Sequence, residues 1–157
     1  MQNQQSNLTL TRTDSANRAF RELVDLLDAH LTITDEDEHD FYHQFNGLDQ
    51  IKYVVLAHDD DRAVACGAIK RFDSETAEVK RMFTREESRG RGIAVQVLNE
   101  LEIWASELGF QRLVLETGVR QPYAIRLYEK TGYQRMVDNY PPYEGIENSV
   151  CLEKSIS

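Results

Sequence analysis

The sequence predicts a mixed α+β domain in which a central, mostly antiparallel sheet is flanked by helices. Three observations carry that prediction. Three strand-like runs, "KYVVLAH", "RAVACGAIKRF" and "AEVKRMFT", follow one another across short turns at residues 59–61 and 73–76. An apolar stripe after residue 92 and a proline-opened segment at residue 122 mark two helices, and the strand-like run "RLVLET" lies between them. Consecutive strands with short turns pair antiparallel, and a strand held between helices belongs to a mixed sheet.

Each element has its own signal. From Asp14 onward Ala16, Ala19, Phe20, Leu23, Leu27 and Leu31 recur at helical spacing, with Asp14 or Ser15 available to cap the first turn. Residues 35–47, "DEDEHDFYHQFNG", mix acid and aromatic residues without a period and read as a loop or broken helix, either a solvated connection or a substrate-facing lid. The three strands follow. Ala94, Val97, Leu98, Leu101, Trp104, Ala105 and Leu108 then form one helical stripe that Gly109 ends. After "RLVLET" (112–117), Pro122 fits the first turn of a helix running to about Gly132. Two short strands, "YQRM" and "SVCLEK", close the chain around an irregular segment with Pro141 and Pro142. The predicted order is helix, three strands, helix, strand, helix, strand, strand.

Length and charge bound the function. At 157 residues the chain is one domain, 1–157, with residues 1–7 expected to be flexible. Eighteen Lys and Arg against 27 Asp and Glu give a formal charge of −9, which excludes a general nucleic-acid or membrane-surface binder. No apolar run approaches the ~20 residues of a membrane span, and "MQNQQSNLTL" lacks the layout of a signal peptide, so the expected location is the cytoplasm. Cys66 and Cys151 sit in separate apolar runs, as buried free thiols do, and no metal is expected because His39 and His43 lack a supporting ligand motif.

The chemistry is concentrated in "RGRGIA", residues 89–94. Gly90 and Gly92 remove side chains where a backbone must approach something closely. The helix that follows offers free N–H groups and the positive end of its dipole, a combination that binds phosphate. The pattern is neither Gly-x-Gly-x-x-Gly nor the Walker pattern, and a plain strand-to-helix turn with incidental arginines has the same local signature. An RNA-binding reading of "TREESRGRG" is opposed by Glu86 and Glu87 beside the arginines.

Set between a strand and a helix, Arg89-Gly90-Arg91-Gly92-Ile93-Ala94 resembles the Arg/Gln-x-x-Gly-x-Gly/Ala signature of the GNAT acetyltransferases. Downstream, Ala124, Tyr128, Gly132 and Tyr133 resemble that superfamily's Ala-x-x-x-Tyr-x-x-x-Gly-Phe/Tyr block. The resemblance is strong over residues 78–136, which would be the cofactor core, and thinner before residue 53. It implies a GNAT-like fold and an N-acetyltransferase using acetyl-CoA and no metal. The amides of residues 89–94 would hold the pyrophosphate, while Met82, Phe83 and Thr84, on a strand splayed from its neighbour, would pair with the pantetheine. Gln121 stands where family members often carry Asn near the pantetheine. The implied acceptor is a primary amine of a small molecule or peptide, with neither nucleic acid nor membrane as partner, and a homodimer is a common assembly in the superfamily. A non-catalytic CoA-binding sensor or assembly module with the same fold is the alternative.

Acyl transfer to an amine needs a deprotonated nucleophile, a stabilised oxyanion and a proton for the departing thiolate. Tyr128 is the candidate acid; it shares a helical stripe with Gln121 and Ala124, and the competing role is a core aromatic. A backbone N–H near Met82 is the candidate oxyanion donor. Glu78, then Glu116, are candidate bases, each of which could equally be an edge or surface charge. Lys80 and Arg81 could guide an anion or be solvated. The acidic cluster at residues 35–40 could draw a cationic acceptor or be solvated in turn.

Overall fold

In this computed structural model, residues 7–35 and 51–156 are described. The sequence from residue 36 to residue 50, including His39, His43 and most of the acidic cluster, lies outside them, as do residues 1–6. Seven strands form one sheet in the order β1-β2-β3-β4-β5-β7-β6. They are β1 (Leu8–Thr13), β2 (Tyr53–Asp59), β3 (Arg62–Arg71), β4 (Thr76–Thr84), β5 (Arg112–Gly118), β6 (Gln134–Arg135) and β7 (Ser149–Ser155). Every neighbouring pair is antiparallel except β4 with β5.

Strand β1 is a correction to the predicted order, which began with a helix. Leu8 and Leu10 turn toward the core while Thr9 and Thr11 face solvent, and the strand pairs along its whole length with β2. The first helix, α1 (Arg18–Asp35), is capped by neither Asp14 nor Ser15. Asn17 Oδ1 accepts from the amides of Ala19 (2.9 Å) and Phe20 (3.2 Å), and Asp14 instead closes a turn on the Ala16 amide. Ala16 therefore precedes the helix.

The helices cover both faces of the sheet. Phe20, Leu23 and Val24 of α1 pack on Val54, Leu56, Cys66 and Ala68 on one face. On the other face, α2 (Ile93–Glu107) sets Val97, Leu98, Leu101 and Ala105 against Val55, Ala57, Ala65, Ile69 and Val79. Alternate strand residues thus enter opposite cores, as the two-residue period of a sheet buried on both faces requires. Gly109, at φ +94°, ends α2 where Phe110 N–H reaches Ala105 O at 3.0 Å. The third described helix, α3 (Pro122–Lys130), has Pro122 in its first turn and joins the α2 face through Ala124, Leu127 and Tyr128. Beyond β6, Tyr140 and Tyr143 fold back with Cys151 over Val114 on the α1 side.

Two irregularities shape the middle of the sheet. Strand β4 pairs with β5 only at Thr76, Ala77 and Glu78, after which β5 continues along β7 to Gly118 and β4 continues along β3 to Thr84. The two strands therefore part. Within β4 the register against β3 steps from Lys80↔Ala68 to Phe83↔Cys66, so Arg81 and Met82 together oppose Gly67. This is a bulge, and Arg81 takes the left-handed conformation at φ +59°. Gly67 is required there, because a Cβ at that position would run into Met82 Sδ, Leu101 Cδ1 and Val97 Cγ1.

The Asn17 cap satisfies two α1 amides with one side chain. Asn17→Ala should therefore lower stability by about 1 kcal/mol, roughly 2–4 °C in Tm for a chain of this size, read by thermal denaturation. An unchanged Tm would show that the cap bears no weight.

Candidate active site

The parting of β4 and β5 opens a cleft of about 150 Å³ in the middle of the sheet. Strand β4 lines it with Glu78 through Met82, β5 with Leu115 through Gly118, α3 with Ala124 and Tyr128, and the far side with Leu27 and Tyr143. Gln121, the residue that precedes α3, also lines it. The cleft thus brings together Glu78, Met82, Gln121 and Tyr128 of the predicted site residues. Phe83 and Thr84 lie further along the free edge of β4, where strand pairing continues only on the β3 side.

At the end of β4 the chain passes through a short 3₁₀ turn, Glu86–Ser88, into the glycine-containing turn. Gly90 (φ +82°) and Gly92 (φ +75°) both occupy the left-handed region, and nothing lies within 4 Å of where a Cβ would stand on either. Gly92 immediately precedes α2 and its carbonyl accepts from Gln96 N–H at 3.2 Å. The first helical amides have no acceptor one turn back, so they project from the helix end. The Arg89 amide is already bonded to Glu86 O (3.3 Å), which takes it out of the amides predicted to meet a ligand. The arginine side chains brace the turn: Arg89 Nε donates to Thr84 O at 3.0 Å, and Arg91 Nη1 to Asp59 Oδ2 at 2.9 Å.

The chain is similar to known proteins in sequence and in fold. The Acetyltransferase (GNAT) family model matches residues 20–133. The chain belongs to the GNAT family. Among its relatives, an "IAA acetyltransferase" of Azospirillum brasilense is 34% identical over 96% of this chain and 99% of its own length. An uncharacterized N-acetyltransferase of Bacillus subtilis, YsnE, is 31% identical over 87% of this chain and 93% of its own. A solved structure from Klebsiella pneumoniae, provisionally named an acyl-CoA N-acyltransferase, superposes with a TM-score of 0.80 at 28% identity, covering 96% of this chain and 98% of that one. A GNAT acetyltransferase from Elizabethkingia anophelis with acetyl-CoA bound shares the fold at a TM-score of 0.69 and 22% identity, covering 95% and 98% of the two chains. This protein is an acyltransferase, with the mixed, mostly antiparallel sheet expected of a GNAT fold.

The charged lining of this GNAT cleft is knit together, with Glu78, Lys80 and Arg81 buried and Glu116 half-buried. Glu78 is 7% exposed; its Oε2 accepts from Tyr140 O–H at 2.7 Å and lies 3.6 Å from Lys80 Nζ. Glu116 Oε2 accepts from Ser149 Oγ at 2.8 Å. Arg81 reaches the other way, giving Nη1 to Asp28 Oδ1 of α1 at 2.8 Å. Lys80 and Arg81 are therefore both buried, and the solvated alternative for them is ruled out. Burial lowers the Lys80 pKa, with Glu78 opposing the shift. Tyr128 is buried edge-to-face on Tyr133 at 5.8 Å, and burial, aided by the Glu116 charge, pushes its phenol above the usual value.

Tyr140 escaped the sequence reading, which found only an irregular loop at that point. The available signal was the pair of aromatics in "YPPY" within a polar stretch. Asn139 fixes the segment by donating to the carbonyls of Tyr143 (3.1 Å) and Ser149 (3.1 Å). The two cysteines are free and buried, as expected, and burial pushes each thiol up to about 12.

Burial of these groups fixes a pH response. The pKa values of Tyr128, Tyr133 and Tyr140 are raised in the folded state above the ~10 of an unfolded tyrosine, and both thiols above ~8.5. The native state therefore holds more protons than the unfolded state at alkaline pH, and stability falls as pH rises. Lys80, lowered by burial, acts in the opposite direction but is one group against five. Denaturation midpoints should decline from about pH 9 upward, and the tyrosinate absorbance of Tyr128, Tyr133 and Tyr140, isolated by difference from the matching Phe variants, should appear together with unfolding. Ionisation of these three in a still-folded protein would contradict their burial.

Proposed function

We propose that this enzyme transfers the acetyl group of acetyl-CoA to the primary amine of a small molecule or peptide. The observation that carries the proposal is the gap between β4 and β5, with Gly90 and Gly92 leading into the N-terminal amides of the helix that follows β4. Pyrophosphate charge on those amides would be stabilised by the α2 dipole, while the unpaired edge of β4 from Met82 to Thr84 offers backbone groups to the pantetheine amides. Gln121 lines the same channel. The Elizabethkingia structure, a protein of the same fold with acetyl-CoA bound, supports this choice of donor.

In the transfer, the amine nitrogen attacks the thioester carbonyl carbon and a tetrahedral oxyanion forms. The carbon–sulfur bond then breaks, and the sulfur leaves as the CoA thiol once it gains a proton. The bulge turns the backbone at Met82 out of regular pairing, which suits its N–H to the oxyanion. Glu78, and Glu116 across the gap, are the carboxylates available to take the amine's proton directly or through water. Tyr128 supplies the proton at sulfur. Its raised pKa keeps it protonated at any working pH but makes it a weak acid, so it acts first as a hydrogen-bond donor to the developing thiolate. The remaining members of this reading are a cytoplasmic protein and neither a nucleic-acid nor a membrane partner. A homodimer follows the superfamily's habit.

Two substitutions test the reading. Gly92→Val forces a β-branched residue to a positive φ and should abolish measurable acetyl-CoA binding in calorimetry while circular dichroism stays native; parental affinity in the folded variant would refute the turn's role. Tyr128→Phe keeps the ring and removes the hydroxyl. It should lower kcat by about 10²-fold with little change in acetyl-CoA affinity. Parental turnover, with chemistry shown by pre-steady-state kinetics to limit the rate, would exclude it as the acid. A protein that binds acetyl-CoA yet never consumes it with any amine would instead be the CoA-binding sensor.

A further inference from the structure

Arg81 has a feature that acetyl transfer alone does not explain. Its side chain is 4% exposed, one end is committed to Asp28, and its Nε is buried without a hydrogen-bond partner, the one such side-chain nitrogen or oxygen among the described residues. An unmet donor on a buried guanidinium is costly, and the residue is held besides in a left-handed conformation that a side chain rarely adopts. A regular strand would send Lys80 and Arg81 to opposite faces, whereas the bulge lets both line the cleft. Glu116 lines the same cleft from the opposing strand.

Resting on the amine-acetylation reading, the geometry points to an acceptor that carries a carboxylate beside its amine, an amino acid, with that carboxylate on Arg81 Nε and beside the Lys80 charge. Its amine is then directed toward Glu78 and Glu116. The charge balance selects this class. Asp28, Glu78 and Glu116 already outnumber Lys80 and Arg81 by one, so a phosphate dianion would deepen the excess while a zwitterion leaves it unaltered. A guanidinium edge also matches a carboxylate in shape and strengthens the hydrogen bond by its charge.

The test compares acceptors that differ only in the anion. The twenty standard L-amino acids are assayed for CoA release from acetyl-CoA; the best is then compared with its primary amide, its decarboxylated amine and the matching aminophosphonate. The carboxylate should exceed the amide and the decarboxylated amine roughly 10- to 100-fold in kcat/KM, the worth of one charged hydrogen bond. Arg81→Gln should erase that advantage while leaving the amide's kcat/KM in place. A purely structural arginine would instead lower both substrates equally, and a parent enzyme indifferent to the carboxylate, or one that prefers the phosphonate, would overturn the proposal. Should Arg81→Gln fail to fold, the double variant Arg81→Gln with Asp28→Asn keeps a neutral hydrogen-bonding pair and answers the same question. If no amine of any charge releases CoA, the acetylation reading fails; calorimetry of the amino acids and their amides on the CoA-loaded protein then decides the carboxylate site alone. Heat from an amino acid that its amide and the Arg81→Gln protein both lack supports the site, and its absence overturns it.

Discussion

Everything at the centre of this molecule follows from the separation of β4 and β5. Parallel strands side by side would normally share hydrogen bonds along their length, and here three registered residues are followed by divergence. Each strand keeps its outer partner, so the sheet does not fall apart; it forks. The fork leaves one edge of β4 with unsatisfied backbone polarity facing a channel, and it joins the two faces of a sheet that is otherwise sealed by helices. The turn and α2 stand on one side of that channel, and α1 with the Tyr140 segment stands on the other.

A fork lined by charge must settle its own electrostatics. Buried ions are tolerated when paired and hydrogen-bonded, and the cleft meets that condition almost everywhere: Glu78 through Tyr140 and Lys80, Glu116 through Ser149, Arg81 through Asp28. Each of these contacts joins residues from different elements except Glu78 with Lys80. The polar lining therefore helps set the distance between the two halves of the sheet, and it holds the carboxylates at fixed positions before any ligand arrives.

The parts legible in the sequence are those governed by local rules. The α2 stripe, the proline that opens α3, the β2–β4 meander and the paired glycines all announce themselves within a few residues, and each is present. Strand β1 was missed because two leucines among threonines give a weak period, and its stability comes from pairing with β2 and from Arg12, which reaches Glu100 and Glu107 of α2. The α1 cap was misassigned since Asp14, Ser15 and Asn17 are all capping residues, and only the chain's path out of β1 selects the third. Lys80 and Arg81 look like solvated strand charges. Their burial depends on a bulge, and a bulge is a property of two strands in register that one strand's sequence does not carry. Tyr140 reaches Glu78 over 62 positions by the same kind of long-range closure.

Gly67 lies outside the cleft lining, yet it helps decide the shape of the cleft. The missing Cβ is the space into which Met82 Sδ fits, with Leu101 and Val97 of α2 closing the remainder. Any larger residue at 67 must displace the methionine or the helix, and both border the channel's working parts: Met82 as lining, α2 as bearer of the glycine turn. For anyone reshaping this enzyme toward other acceptors, the back of β3 is thus a control on pocket geometry, reached without touching a single residue that a substrate would meet.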